Sequence, residues 1–112
     1  MTKEIICNED GKFNITLTLS KDGFCFCPVC GEKSKNKEWR PYDTLGYPTH
    51  DICKCGFEYG YDCGPDGPHE KSWENYRKEW FAGQLKFGNS KTLDKSKKLE
   101  QLKNIGVDIK NI

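Results

Sequence analysis

Cys27-Pro28-Val29-Cys30-Gly31 and Cys53-Lys54-Cys55-Gly56, with 22 residues between Cys30 and Cys53, decide how this chain is read. Two close cysteine pairs on either side of a medium loop supply the four thiolates that a tetrahedral metal ion requires. Cys-x-x-Cys-Gly makes a compact turn that aims both sulfurs at one point, and the glycine after the second cysteine permits a positive φ. The second pair has one intervening residue instead of two. On an extended strand residues i and i+2 share a face, so Cys53 and Cys55 can still reach one ion. The expected ligand set is Cys27, Cys30, Cys53 and Cys55. Alternative sets substitute Cys63 or Cys25 for one of these, or draw on His50 or His69. Zinc and a single iron both accept four sulfurs in a tetrahedron, so the residues name zinc first and iron as the alternative.

Working outward, Phe13-Asn14-Ile15-Thr16-Leu17-Thr18-Leu19 alternates apolar and polar residues with the period of a strand. Asn8-Glu9-Asp10-Gly11 is turn chemistry, so residues 3–7 and 13–19 are expected to form a hairpin. Lys21-Asp22-Gly23 is a second turn leading into the first cysteine pair. Glu32-Lys33-Ser34-Lys35-Asn36-Lys37 reads as a solvated excursion, with Trp39, Tyr42 and Tyr47 expected to cover the metal site or the hairpin. Downstream, Trp73, Tyr76 and Trp80 fall at i, i+3 and i+7, which predicts a helix over 71–82 with Ser72 as its N-cap and Gly83 as its stop. Leu99 and Leu102 give a thinner stripe to a second helix over 92–104, ending at Gly106. The expected fold is α+β: one domain over 1–112, made of a β-hairpin (1–23) extending the sheet of a small zinc ribbon (24–69), an aromatic-striped helix (70–84), and a basic C-terminal helix and tail (90–112).

Hydrophobic residues make up 35% of the 112 residues, so a modest core is expected, enlarged by three Trp, five Tyr and six Phe. A metal cross-link suits a domain of that kind. Charge is uneven: residues 1–85 hold 11 Lys+Arg against 14 Asp+Glu, while residues 86–112 hold 7 against 3. A net charge of +1 argues against a dedicated nucleic-acid surface, and the basic end reads first as a solvated helix. No apolar run approaches the roughly 18 residues of a membrane span, and residues 1–7 do not read as a secretory signal. A cytoplasmic, reducing setting is therefore expected, in which paired cysteines serve as metal ligands and not as disulfides. Seven cysteines cannot all pair within the chain; four ligands plus free Cys7, Cys25 and Cys63 is the simplest partition.

Cys27-Pro28-Val29-Cys30-Gly31, Tyr47-Pro48-Thr49-His50-Asp51-Ile52-Cys53, Gly56-Phe57-Glu58-Tyr59-Gly60-Tyr61-Asp62 and Trp73-x-x-Tyr76-Arg77-x-x-Trp80 together resemble the small cysteine-rich proteins of the CPCC type found in Gram-positive bacteria. The likeness covers about residues 24–87. The family's second knuckle usually reads Ile-Cys-Pro-Cys-Cys-Gly-Phe-Glu, one residue longer than Ile52-Cys53-Lys54-Cys55-Gly56-Phe57-Glu58. The resemblance implies zinc and a bacterial setting, and it supplies no reaction.

No catalytic constellation is visible. The chain has no phosphate-cradling glycine loop and no His-Glu zinc-protease motif, and four thiolates would fill the coordination shell of zinc. A non-catalytic module that binds another protein is expected. Residues 58–70 carry Glu58, Asp62, Asp66 and Glu70 and no Lys or Arg. With Tyr59 and Tyr61, the acidic residues Glu58, Asp62 and Asp66 form a candidate surface for a basic partner. An immunity protein that neutralises a bacterial toxin is one version of that reading. A nucleic-acid-binding zinc ribbon and a rubredoxin-like electron carrier are the readings from other classes.

Overall fold

The structure is a computed structural model and describes residues 3–9, 13–43, 47–59, 69–86 and 88–107. Strands β1 (Lys3–Glu9) and β2 (Phe13–Leu19) form an antiparallel pair running from Lys3↔Leu19 to Glu9↔Phe13. Period-two alternation places Ile15, Leu17 and Leu19 in the core, with Ile5 paired to Leu17, while Ile6 faces outward. The turn at Lys21-Asp22-Gly23 closes through Gly23 N–H to the Ser20 carbonyl at 2.9 Å. The chain then touches β2 again by a bridge between Leu19 and Cys25 and a bond from Phe26 N–H to Thr18 O at 2.9 Å.

The fold is mixed α+β, with a two-stranded antiparallel sheet and two helices. Among the described residues β1–β2 is the only sheet, and the segments flanking the cysteines meet by single bridges, Phe26↔Lys33 and Ile52↔Glu58. The polar excursion folds back through Tyr42↔Pro48, burying Tyr42 completely while Tyr47 stays half exposed.

Helix α1 (His69–Phe81) begins three residues before the expected Ser72, which therefore lies inside its first turn and not at its cap. Gly67-Pro68 is the nearest upstream breaker, and nothing from His69 to Ser72 opposes a helix. The predicted stop at Gly83 is correct: Gly83 N–H bonds Trp80 O and Gln84 N–H bonds Glu79 O, a Schellman ending at positive φ. Helix α2 (Lys95–Asn104) starts later than residue 92, because Asn89–Leu93 is a separate turn and Asp94 is the N-cap. Its end at Gly106 repeats the Schellman pattern, with Val107 N–H on Leu102 O at 3.0 Å.

Trp73, Trp80 and Leu102 are buried in one cluster with β2, both cysteine pairs, Tyr42, Phe57 and Tyr59. The two helices are joined by Lys98, a buried lysine whose ammonium donates to Trp80 O at 2.9 Å, Phe81 O at 3.3 Å and Ser90 O at 2.6 Å. Two of these acceptors are last-turn carbonyls of α1, where a cation is favoured by the helix dipole. Among the described residues, no helix is long and apolar enough to cross a membrane.

Candidate metal centre

Each cysteine pair sits on a tight turn whose hydrogen bonds follow from its sequence. In the first, Gly31 N–H bonds Cys27 O and Cys27 N–H bonds Glu32 O, both at 2.8 Å. In the second, Gly56 N–H bonds Cys53 O at 2.8 Å and Cys53 N–H bonds Phe57 O at 3.0 Å. The shorter Cys-x-Cys spacing is thus accommodated by the same kind of hairpin.

The turns face one another. The sulfurs of Cys27, Cys30, Cys53 and Cys55 all lie within 4.8 Å of each other, and Cys30 Sγ is 3.6 Å from Cys53 Sγ. A tetrahedron with zinc–sulfur bonds of about 2.3 Å has sulfur–sulfur edges of about 3.8 Å, so the donor set fits a single tetrahedral ion. The four cysteines are positioned to hold a metal ion. Cys27, Cys30 and Cys55 are buried; Cys53 is only partly covered. Cys25, one of the alternative ligands, is buried outside this cluster, with its thiol directed at Phe26 O. His50 is exposed at positive φ and does not join the cluster.

The surrounding residues hold the turns by their carbonyls. Arg77 on α1 donates from Nε to Val29 O at 2.6 Å and from its terminal nitrogen to Pro28 O at 2.7 Å. One residue earlier, the Tyr76 hydroxyl reaches Cys55 O at 3.0 Å. A single turn of α1 therefore grips both cysteine turns. From α2, Gln101 Nε2 donates to Cys30 O and Asn104 Nδ2 to Gly31 O, at 3.2 and 3.0 Å. Asn89 N–H takes Lys54 O at 2.9 Å. Two glycines make the close approaches possible: a Cβ on Gly31 would lie 1.8 Å from Gln101 O, and one on Gly88 would lie 2.4 Å from the Cys55 carbonyl carbon.

Tyr59 is the residue whose role the sequence concealed. Expected on a partner-facing loop, it is fully buried, and its hydroxyl sits 2.7 Å from Cys27 Sγ. Burial first, and then the negative charge at Cys27, push the phenol well above its ordinary value, so it stays protonated and donates to the sulfur. Burial alone would raise the Cys27 thiol. Hydrogen bonds from Cys30, Cys53, Cys55 and Tyr59 outweigh it and hold Cys27 well below the ordinary thiol range. Cys30 and Cys55 are pushed up, chiefly by donating to Cys27. A divalent ion is held by thiolates, so binding at this cluster releases protons. The readable signal for Tyr59 was its period-two relation to Cys55 and Phe57, which puts all three on one face.

Of the other residues proposed for partner contact, Glu58 is half buried beside the Ile52 bridge. Tyr61, Asp62 and Asp66, together with Cys63, lie outside the described residues. No family model matches the chain, and no curated protein or solved structure is detectably similar to it.

Proposed function

We propose that this chain is a non-catalytic protein-binding module whose fold is held by one structural zinc on Cys27, Cys30, Cys53 and Cys55. The observation that carries the reading is the convergence of four sulfurs from two separate hairpins, three of them buried under an aromatic core. Four thiolates complete the shell of zinc and leave no position for water or substrate, which is the pattern of a structural site. Among the described residues, one open groove of about 530 Å³ is lined by Ile5, Glu38, Trp39, Arg40, Tyr42, Asp43 and Thr49. Its aromatic floor and charged rim are the composition of binding surfaces.

Elemental analysis with a visible spectrum tests the metal. One zinc per chain and no colour supports the proposal; a coloured protein carrying iron supports electron transfer instead. That second reading draws on one specific feature, the partial exposure of Cys53, which would give an electron a short path to solvent. The partner half is tested by co-purification from the native cell. A protein retained by the zinc-loaded chain and released by chelation supports it, and retention that survives chelation contradicts it.

A further inference from the structure

Three of the four sulfurs are sealed. Cys27 is covered by Tyr59, Cys30 lies beneath α2, and Cys55 lies beneath Tyr76 and the Gly88 turn. Of the four, Cys53 is the one left partly uncovered, and it is the corner open to an approaching ion among the described residues. That corner is occupied by one carboxylate: Glu32 Oε2 lies 3.9 Å from Cys53 Sγ, while Oε1 of the same group pairs with the Lys54 ammonium at 3.4 Å. The segment bearing Glu32 is fixed, since its own carbonyl accepts from Cys27 N–H within the first hairpin. Its side chain is 27% exposed and that of Lys54 is 64% exposed, so the pair forms the rim between the sulfurs and water.

We infer that Glu32 is the loading ligand of this centre in its folded, metal-held state: its carboxylate takes an incoming divalent cation at the Cys53 corner and passes it to the sulfurs as the ion already bound is displaced. Lys54 opposes this by holding the same carboxylate. Carboxylate oxygen is a competent zinc donor at nearly the distances of sulfur. A negative group at the mouth of a covered site also raises the local concentration of cations. Glu32 is not one of the four final donors, so removing it changes both directions of exchange alike and moves the binding constant much less than either rate.

The inference rests on the metal reading above, and the test separates the two. Zinc-loaded protein is mixed with a heavy zinc isotope, and native mass spectrometry follows the replacement of the light isotope in the folded chain. Glu32→Gln should slow exchange roughly tenfold, on the scale by which local fields alter on-rates. Lys54→Gln should accelerate it. Opposite signs are the discriminating feature, because a merely structural ion pair loosens the corner whichever partner is lost, and exchange then quickens in both variants. Glu100→Gln and Lys35→Gln, on exposed residues, impose the same charge changes and should leave the rate near wild type. Equal effects of the two rim variants, or controls that change the rate as much as the rim variants do, overturn the loading role while leaving the metal site standing. Wild-type protein that carries no zinc at all overturns the metal reading and the loading role with it.

Discussion

Gly31 shows how much of this site depends on one absent methyl group. Its φ of +79° lies in the left-handed region, and an added Cβ would fall 1.8 Å from the Gln101 carbonyl oxygen on α2. Gly31→Ala must either push α2 away or distort the cysteine turn, and it should destabilise the protein by roughly 3 kcal/mol or more, as overpacking adds to backbone strain. Gly106 is the matched control: φ is +71°, yet nothing lies within 4 Å of its added Cβ. Gly106→Ala should cost only about 1 kcal/mol, the conformational term alone. Urea unfolding of the two variants checks this; equal losses would mean that contact with α2 contributes nothing. Lys98 poses the converse case, a buried cation whose three carbonyl partners have it as a shared donor. Lys98→Met keeps the aliphatic stem but leaves those carbonyls short of a donor. It should cost roughly 2–4 kcal/mol, the range for breaking a buried charged hydrogen-bond set. A loss within experimental error of zero would contradict the bridging role.

Among the elements, α2 illustrates both what could be read and what could not. Its apolar stripe, its basic face and its stop at Gly106 were legible, because each depends on residues a turn apart. Its docking was not, because Gln101 and Asn104 look like ordinary surface amides until Cys30 and Gly31 are brought beneath them from some seventy residues away. The same division runs through the site. The four cysteines are legible by spacing, while the contacts of Arg77 and Tyr59 with the cysteine turns are not, since an arginine on a helix and a tyrosine in an extended run have many commoner uses. Around the cysteine turns the flanks meet by single bridges, Phe26↔Lys33 and Ile52↔Glu58. The cap of α2 carries a prediction of its own. Asp94 Oδ1 accepts from Lys97 N–H and from the Ser96 hydroxyl, each at 2.9 Å, and the backbone bond first and the hydroxyl second hold the carboxyl below its ordinary 3.8. A depressed carboxyl contributes in full above that ordinary value, and the contribution fades as pH falls through the lowered one. At neutral pH, Asp94→Ala should therefore reduce amide-exchange protection across the first turn of α2, and Asp94→Asn should retain most of it as a neutral cap. Unchanged protection in the alanine variant would remove Asp94 from the helix's support.

At the scale of the whole molecule, the cysteine cluster is where the described elements meet. Residues 25–26 tie it to the hairpin, α1 grips both cysteine turns through Tyr76 and Arg77, α2 covers the first turn, and the Gly88-Asn89 turn backs the second. Sulfurs that separate would therefore release all of these contacts together. The apparent binding free energy of a structural zinc, roughly 10–16 kcal/mol, is as large as the entire stability of a domain this size, about 5–15 kcal/mol. Chelation should accordingly unfold the chain cooperatively, and far-UV and near-UV circular dichroism should be lost over one transition. Lowering the pH should act in the same direction, because protons compete with the ion for the sulfurs. Cys27→Ser should reproduce the chelated state even with zinc in excess. Cys25→Ala, also buried but outside the cluster, should cost on the order of 1 kcal/mol and keep the metal. The contrast between these neighbouring cysteines is the sharper test, since both lie in the core and differ only in whether the sulfur faces the other three. If Cys27→Ser stayed folded and zinc-bound while Cys25→Ala did not, the centre would have to be rebuilt around a different set of donors.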